Sequence, residues 1–198
     1  MTCNVMKSEI CSHEEVLGAG KFLRLVRIEG YEFTQRVHCT GVVAVIPITD
    51  DNRVILLKQY RKRLKREMID FPSGLVGDTT QDATENAIDA AKRELIEEAG
   101  YMSGNIVSLF ERHSSGGVTD ETVQFFLAQN LELVSSEVGV DDEVIEVHSV
   151  LLSEVDSWLE ERVSDGCLVD PKVDVGLRYL DRHTHPISLP AEKGRVSV

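Results

Sequence analysis

The fold of this chain is decided by the stretch Glu85-Asn86-Ala87-Ile88-Asp89-Ala90-Ala91-Lys92-Arg93-Glu94-Leu95-Ile96-Glu97-Glu98-Ala99-Gly100-Tyr101. Its alanines and leucine favour an α-helix, and Gly100 suits the left-handed conformation that often ends one. Ile88, Ala91 and Leu95 recur at helical spacing, so we expect these three side chains to face a hydrophobic core. The stretch therefore predicts one amphipathic helix.

The opposite face of this helix is acidic. Glu94, Glu97 and Glu98 are three and four residues apart, which brings their carboxylates to one side. Carboxylates this close repel each other unless a positive charge lies between them, and they are the hard oxygen ligands that magnesium and manganese prefer. Arg93 precedes Glu97 by four residues and can hold its side chain. The pattern predicts a divalent metal site, with a solvated acidic face as the alternative.

Composition indicates a soluble protein of one main domain. The chain has 198 residues, of which 42% are hydrophobic and 28% charged. It has no apolar run near the ~20 residues that a membrane helix needs, so we expect no membrane partner. Its four cysteines, at 3, 11, 39 and 167, form neither a CxxC pair nor a metal-binding spacing. They favour free thiols and a cytoplasmic location.

The net charge of −13 argues against binding to nucleic acid or to an anionic membrane. It also means that any phosphate-bearing substrate needs a local positive surface. Residues 58–66 could supply one, because they contain Lys58, Arg61, Lys62, Arg63, Lys65 and Arg66. The alternative for most of these side chains is a charged, solvated loop.

Hydrophobic patterning predicts strands at 22–28, 40–48, 53–60, 68–71, 106–112, 122–128 and 143–151. The strands at 40–48 and 53–60 flank a turn at 50–52, so we expect them to form a hairpin. Ser153 and Asp156 predict the capped start of a helix that runs through 161, and a last helix is expected from Pro171 to Leu180. Strands alternating with helices predict an α+β fold with a mixed β-sheet.

One stretch resembles the core of the Nudix hydrolase signature. It is Arg93-Glu94-Leu95-Ile96-Glu97-Glu98-Ala99-Gly100-Tyr101, with Glu85 eight positions before Arg93. Two features depart from that signature. Thr79 stands where it has glycine, and ten residues separate Gly74 from Glu85 where it has five. We interpret 78–82 as an insertion in the loop that enters the helix.

Five further motifs resemble the ADP-ribose and nucleotide-sugar pyrophosphatase branch of the Nudix family. They are Gln59-Tyr60-Arg61, Asp70-Phe71-Pro72-Ser73-Gly74, Ser115-Gly116-Gly117-Val118-Thr119-Asp120-Glu121, Asp142-Glu143-Val144-Ile145-Glu146-Val147 and Asp170-Pro171-Lys172. The resemblance implies an α/β/α sandwich with an N-terminal β extension. It divides the chain into an N-terminal β segment (1–40), a catalytic domain (41–182) and a mobile tail (183–198).

The activity implied by the resemblance is metal-dependent hydrolysis of the pyrophosphate bond of a nucleoside diphosphate sugar or ADP-ribose. The products are a nucleoside monophosphate and a sugar phosphate. The implied cofactor is Mg²⁺, with Mn²⁺ as the alternative. The implied ligands are Glu94, Glu97, Glu98, the main-chain carbonyl of Ser73 and, at the rim, Glu85. Glu85 could instead only pair with Arg93, which we expect to orient the carboxylates.

Glu143 is expected to act as general base, with Glu98 as the second catalytic carboxylate. Asp141 and Asp142 are neighbours that could replace Glu143 in that role. Substrate contacts are expected from Arg61, Gly116, Gly117 and Glu121. His113 is an open candidate for acid–base work, whereas His148 is expected to be structural.

The identity of the substrate is left open by Gly116, which stands where the ADP-ribose branch usually has proline. ADP-ribose, GDP-mannose, UDP-glucose and ADP-glucose all fit. Residues 1–40 are long enough to reach a partner subunit, so a homodimer is expected. Two alternatives stand beside this activity: a sensor that binds a nucleotide sugar without cleaving it, and a hydrolase of dinucleoside polyphosphates or capped RNA.

Overall fold

A computed structural model describes residues 14–77, 84–139 and 144–184 of the chain. The strands in these ranges are β1 (Glu15–Ala19), β2 (Leu23–Ile28), β3 (Tyr31–Arg36), β4 (Gly41–Pro47), β5 (Arg53–Arg61), β6 (Arg66–Asp70), β7 (Ser73–Val76), β8 (Tyr101–His113), β9 (Thr122–Leu133), β10 (Ile145–Leu151) and β11 (Leu168–Val169). The helices are α1 (Ala87–Ala99), α2 (Val155–Ser164) and α3 (Pro171–Thr184). No helix among the described residues is long and apolar enough to cross a membrane.

The N-terminal β extension is confirmed as an antiparallel sheet in the order β1-β2-β3. It rests on the loop between β8 and β9. The backbone N–H of Thr34 donates to the carbonyl of Val118 at 2.8 Å, and Gln35 donates to the Asp120 carboxylate at 2.7 Å. These contacts hold the extension against the main body of the chain.

The main body contains two four-stranded mixed sheets, in the orders β7-β4-β9-β8 and β10-β5-β6-β11. Most neighbouring strands are antiparallel, but β4 runs parallel to β9, and β11 runs parallel to β6. The predicted mixed β-sheet is therefore confirmed, as two sheets of this kind.

The predicted hairpin between 40–48 and 53–60 is wrong. The turn at 50–52 is present, but β4 and β5 belong to different sheets, and a single bridge between Ile48 and Val54 links this part of the chain. Both strands are buried on both faces, so each lies inside its sheet between two other strands. A short turn does not force pairing when each strand has better partners elsewhere.

The α/β/α arrangement follows from how the side chains of β4 alternate. Val43 and Val45 pack with α1, whereas Ala44 and Ile46 belong to the core cluster under α2 and α3. The side chains of β5 divide in the same way between the two clusters. The sheets therefore separate α1 from the other two helices, as the sequence predicts.

Helix α1 is confirmed, with Asn86 as its N-cap and Gly100 ending it at a φ of 76°. Ala91 and Leu95 are buried as expected. The expectation for Ile88 is wrong, because this side chain is 36% exposed. It lies in the first turn of the helix, before burial begins at Ala90.

Helix α2 starts differently from the prediction. The residue before it is Glu154, which makes no side-chain capping hydrogen bond, and Ser153 lies in the preceding turn. The helix is anchored instead by Val155, its buried first residue. Helix α3 begins at Pro171 as predicted and continues to Thr184; the rest of the predicted tail lies outside the described residues.

Candidate active site

The candidate site is built where β7 passes the acidic face of α1. The backbone N–H of Ser73 donates to Oε2 of Glu98 at 2.8 Å. Next to it, Gly74 leaves room for the carboxylate of Glu94, since a Cβ on Gly74 would overlap that group. This close approach explains why a glycine is needed at position 74. The strand therefore binds one of the predicted ligand carboxylates, Glu98, and makes room for a second, Glu94.

Arg93 is the positive charge that lies among the carboxylates. Its Nη1 donates to Glu94 at 2.7 Å and to Glu97 at 3.0 Å, while its Nε donates to Glu85 at 2.9 Å. Its Nη2 also reaches the carbonyl of Leu75 at 3.0 Å. Hydrogen bonding to Glu85 and the charge of the other carboxylates raise the pKa of Arg93. The guanidinium thus ties α1 to β7 and orients the acidic face.

Glu85 uses both carboxylate oxygens in this network. Besides its pairing with Arg93, it accepts the backbone N–H of Gly77 at 3.0 Å. The hydrogen bond from Arg93 lowers the pKa of Glu85, and the backbone N–H of Gly77 acts in the same direction. Of the two roles predicted for this residue, the structure contains the pairing with Arg93.

Within the described ranges, no three His, Cys, Asp or Glu side chains converge as a ready-made metal site. The guanidinium of Arg93 lies between Glu94 and Glu97 and joins them. The chemistry of the donors nevertheless fits a hard divalent cation, since three carboxylates and the Ser73 backbone lie on adjoining segments. Glu94, Glu97 and Glu98 are the side chains that would hold such an ion.

A cleft of about 560 Å³ opens beside Ser73 and Gly74. Five basic side chains from different elements line it: Arg36, Arg61, Arg63, Arg112 and Lys172. In a chain with a net charge of −13, this is a local concentration of positive charge next to the acidic helix. The cleft can therefore attract an anion toward the carboxylates.

The basic stretch at 58–66 contributes only part of this lining. Arg61 and Arg63 face the cleft, and Arg61 pairs with Asp70 at 3.1 Å. Lys58 instead pairs with Glu146 at 2.7 Å, and Arg66 donates to a backbone carbonyl at 2.6 Å. Most of the side chains in this stretch are therefore structural or solvated, which agrees with the alternative of a charged, solvated loop.

The loop between β8 and β9 contributes unequally to the cleft. Glu121 lines it and pairs with Arg36 of the N-terminal sheet. Gly116 and Gly117, also predicted as substrate contacts, are exposed and are not part of the described lining. A Cβ on either glycine would meet open space, so packing does not require glycine there.

The two candidate histidines, His113 and His148, lie in different environments. His113, at the end of β8, lines the cleft. His148 packs against Trp158 with ring centroids 5.1 Å apart, and its Nε2 lies 3.3 Å from a carboxylate oxygen of Glu146. Burial lowers the pKa of His148, which suits a neutral side chain in a packing role. The packing of His148 agrees with the structural role expected for it, and His113 stays a candidate for acid–base work.

The predicted general base, Glu143, lies outside the described residues, as do Asp141, Asp142 and the predicted insertion at 78–82. The cleft also contains residues that the sequence did not mark as substrate contacts, namely Arg36, Arg112 and Lys172. Lys172 belongs to a motif that the sequence did single out, but without a role. The two arginines carried no sequence signal, because they come from separate strands.

Comparison with known proteins identifies the family. The model of the NUDIX domain matches residues 40–166. The chain is 33% identical over 141 residues to an ADP-ribose pyrophosphatase of Bacillus subtilis, a match that covers 71% of each protein. It is 31% identical over 161 residues to a GDP-mannose pyrophosphatase of Yersinia pestis, covering 77% of this chain and 76% of that protein.

A solved structure has the same fold. It is described as an ADP compounds hydrolase, and it superposes with a TM-score of 0.63 at 21% identity, covering 87% of this chain and 91% of the other. The fold, the Glu-rich helix held by Arg93 and the extent of the NUDIX match agree with one another. This chain belongs to the Nudix family.

Proposed function

We propose that this protein hydrolyses the pyrophosphate bond of a nucleoside diphosphate sugar or of ADP-ribose. One observation carries the proposal: a cleft with five basic side chains is also lined by Ser73 and Gly74, which lie against Glu98 and Glu94 of α1. A diphosphate in the cleft would be bound by the basic side chains and reach Glu94 and Glu98 past Gly74. The names of the relatives, an ADP-ribose pyrophosphatase and a GDP-mannose pyrophosphatase, support this substrate class.

Different residues of the chain have different roles in this reaction. Arg61 and the other cleft cations neutralise the diphosphate oxygens and fix their orientation. Glu94, Glu97 and Glu98 would hold the divalent ion, Mg²⁺ or Mn²⁺, which when bound supplies charge neutralisation and a more acidic water. Glu143 is proposed as the base that takes the proton of the attacking water, with Glu98 as the second catalytic carboxylate. Water adds to one phosphorus, and the bridging oxygen leaves with the other phosphate.

We propose that the N-terminal sheet forms the interface of a homodimer. Several large apolar side chains of this sheet and its turns are exposed, including Phe22 at 63% and Tyr31 at 77%. Large apolar side chains exposed along one sheet favour association with a partner surface. Light scattering coupled to gel filtration tests the dimer, and replacing both residues with glutamate should shift the mass toward a monomer. The cytoplasm is proposed as the location, because the four cysteines of the sequence show no paired spacing.

The activity is tested with a panel of ADP-ribose, GDP-mannose, UDP-glucose and ADP-glucose in the presence of Mg²⁺. Phosphate is released from the products by a phosphatase and measured. We expect turnover of at least one compound, and a fall of about a hundredfold or more in Glu98→Gln, because the substitution removes a ligand charge. Glu160→Gln, on the exposed surface of α2, is the control and should match the unsubstituted chain.

Two outcomes would redirect the assignment. If the unsubstituted chain and Glu98→Gln bind one compound but leave the whole panel uncleaved, the protein is a nucleotide-sugar sensor. If only capped RNA or dinucleoside polyphosphates are cleaved, the substrate is larger than a nucleotide sugar.

A further inference from the structure

Asp70 is a buried carboxylate at the end of β6, next to the cleft. It is 1% exposed. Its Oδ1 accepts the backbone N–H of Phe71 at 2.8 Å. Its Oδ2 contacts both Nη2 of Arg61 and Nζ of Lys172, each at 3.1 Å. One carboxylate oxygen therefore holds together two cations that are far apart in the sequence.

The side chain of Arg61 reaches Asp70 along the sheet, because in the antiparallel pair of β5 and β6 Arg61 lies opposite Arg66 and Asp70 lies opposite Leu57. Arg61 ends β5, and Asp70 ends the adjacent strand β6. Strand β11 runs parallel to β6, and the backbone N–H of Asp170 donates to the carbonyl of Ile69 at 2.9 Å. Lys172 follows in the first turn of α3 and also pairs with Asp170 at 3.0 Å. The two sheet strands and the helix thus set the position of both cations.

A buried ion pair such as that of Asp70 is weak evidence for a role in stability. Burial raises the pKa of the Asp70 carboxyl, and the charges of Lys172 and Arg61 oppose that rise. Removing an ion pair from water carries a large desolvation cost, and apolar residues of similar volume are often at least as stable. A charged group here is therefore better explained by what it does to its two partners.

Both partners of Asp70 still have donors to offer. Arg61 and Lys172 both line the cleft. Among the described residues, the guanidinium of Arg61 makes one hydrogen bond, from Nη2 to Asp70, and its buried Nε has no acceptor there. Long cationic side chains lose conformational freedom when they bind an anion, and holding them beforehand lowers that cost. A fixed pair of cations also suits two oxygens of one phosphate group.

We propose that Asp70 is a positioning residue, which holds Arg61 and Lys172 as a two-cation site for the diphosphate of the substrate. This inference rests on the proposed function, from which it takes its ligand. Asp70 itself does not touch the ligand; it acts through the two cations. Arg61 and Lys172 line the same cleft as Ser73 and Gly74, so one ligand in the cleft could contact the cation pair and the backbone of β7.

The test measures binding, so that it does not depend on turnover. ADP-ribose and GDP-mannose are titrated calorimetrically into the full chain carrying Glu98→Gln, with Mg²⁺ present. In that background we expect Asp70→Asn to weaken binding about tenfold or more, because an amide cannot accept from both cations and from Phe71. Asp70→Glu keeps the charge and should restore most of the affinity. Asp51→Asn, which alters an exposed ion-paired aspartate, is the control and should change nothing.

Coupling between the positions separates positioning from a merely structural role. Arg61→Ala should weaken binding to a similar degree, and Asp70→Asn should add little once Arg61 is absent. The inference is overturned if the fold-losses in affinity of Arg61→Ala and Asp70→Asn multiply in the double variant. It is also overturned if Asp70→Glu binds the ligands as weakly as Asp70→Asn does. If Asp70→Asn does not fold, Arg61→Ala and Lys172→Ala decide the question, and unchanged affinity in both overturns the inference.

The outcomes for the two proposals are distinguishable. Binding that follows the expected pattern in a chain that hydrolyses nothing supports the cation pair and refutes the hydrolase. Normal hydrolysis with unchanged binding in Asp70→Asn refutes the cation pair and leaves the hydrolase intact. Failure of the unsubstituted chain to bind either ligand also overturns the cation pair.

Discussion

Gly74→Ala is a small substitution that should separate activity from stability. Gly74 lies in β7, and it is not among the described glycines with positive φ, so alanine can adopt its backbone conformation. The added Cβ would lie 2.7 Å from Oε2 of Glu94 and still closer to Oε1 and Cδ. Ordinary contacts of a Cβ are 3.4–4 Å. The carboxylate must therefore retreat by about 1 Å or more, a misplacement that can lower a rate by ~10²-fold.

The stability change follows from the contact that is lost. As Glu94 retreats, it gives up the 2.7 Å hydrogen bond from Arg93, and such charge-assisted bonds contribute about 1.5–3 kcal/mol. Replacing glycine with alanine where the backbone permits it returns roughly 0.4–1 kcal/mol, because the unfolded chain has fewer conformations. We expect the free energy of unfolding to fall by about 1–2 kcal/mol, which is far too little to unfold the protein.

The assay measures kcat at saturating substrate over a titration of Mg²⁺, together with Tm. Gly41→Ala is the matched control, since Gly41 lies in the paired strand β4 and its added Cβ would meet only Val76 Cγ2, at 3.8 Å. We expect Gly41→Ala to keep its activity, and Gly74→Ala to lose about a hundredfold while its Tm falls by only a few degrees. A Gly74→Ala variant with kcat within about threefold of the unsubstituted chain and the same Mg²⁺ dependence refutes the reasoning.

Three further substitutions test the fold around the site. Arg93→Gln should lower the free energy of unfolding by about 2–4 kcal/mol, because buried carboxylates lose their partner; urea denaturation measures it. Gly176→Ala should cost about 1–3 kcal/mol in the same assay, since its Cβ would lie 2.5 Å from the Phe71 ring. His148, whose pKa burial lowers, should make stability fall as the pH drops below about 6.5, because the unfolded chain takes up the proton first. His148→Gln should remove that part of the pH dependence, measured as urea midpoints at two pH values.

The controls for these substitutions are exposed positions. Arg53→Gln breaks an exposed pair with Asp51 and should change stability by no more than about 0.5 kcal/mol. Gly116→Ala places a Cβ in open space and should be close to neutral. Equal losses in a control and its test variant would contradict the packing and charge arguments above. A pH dependence of stability that survives His148→Gln unchanged would contradict the role given to burial of that imidazole.

The elements that sequence patterns predicted best are those with a local cause. Helix α1, its left-handed end at Gly100 and the clustering of Glu94, Glu97 and Glu98 depend on spacing within a few residues. The same holds for the start of α3 at Pro171. The prediction that failed most clearly, pairing of β4 with β5, concerns which strands become neighbours. That choice depends on the burial of both faces of each strand by distant parts of the chain.

The acidic helix could be interpreted from the sequence alone because a helix brings residues three and four apart to one side. That spacing predicted the cluster of carboxylates, and the resemblance to the Nudix signature implied the family and the class of chemistry. Only the tertiary structure decided what surrounds them. It joined Arg93 to the carbonyl of Leu75 in β7, set Gly74 against Glu94 and brought Lys172 and Arg61 to a single oxygen of Asp70. The physical reason is that these contacts join separate strands and helices, whose positions follow from burying one shared core.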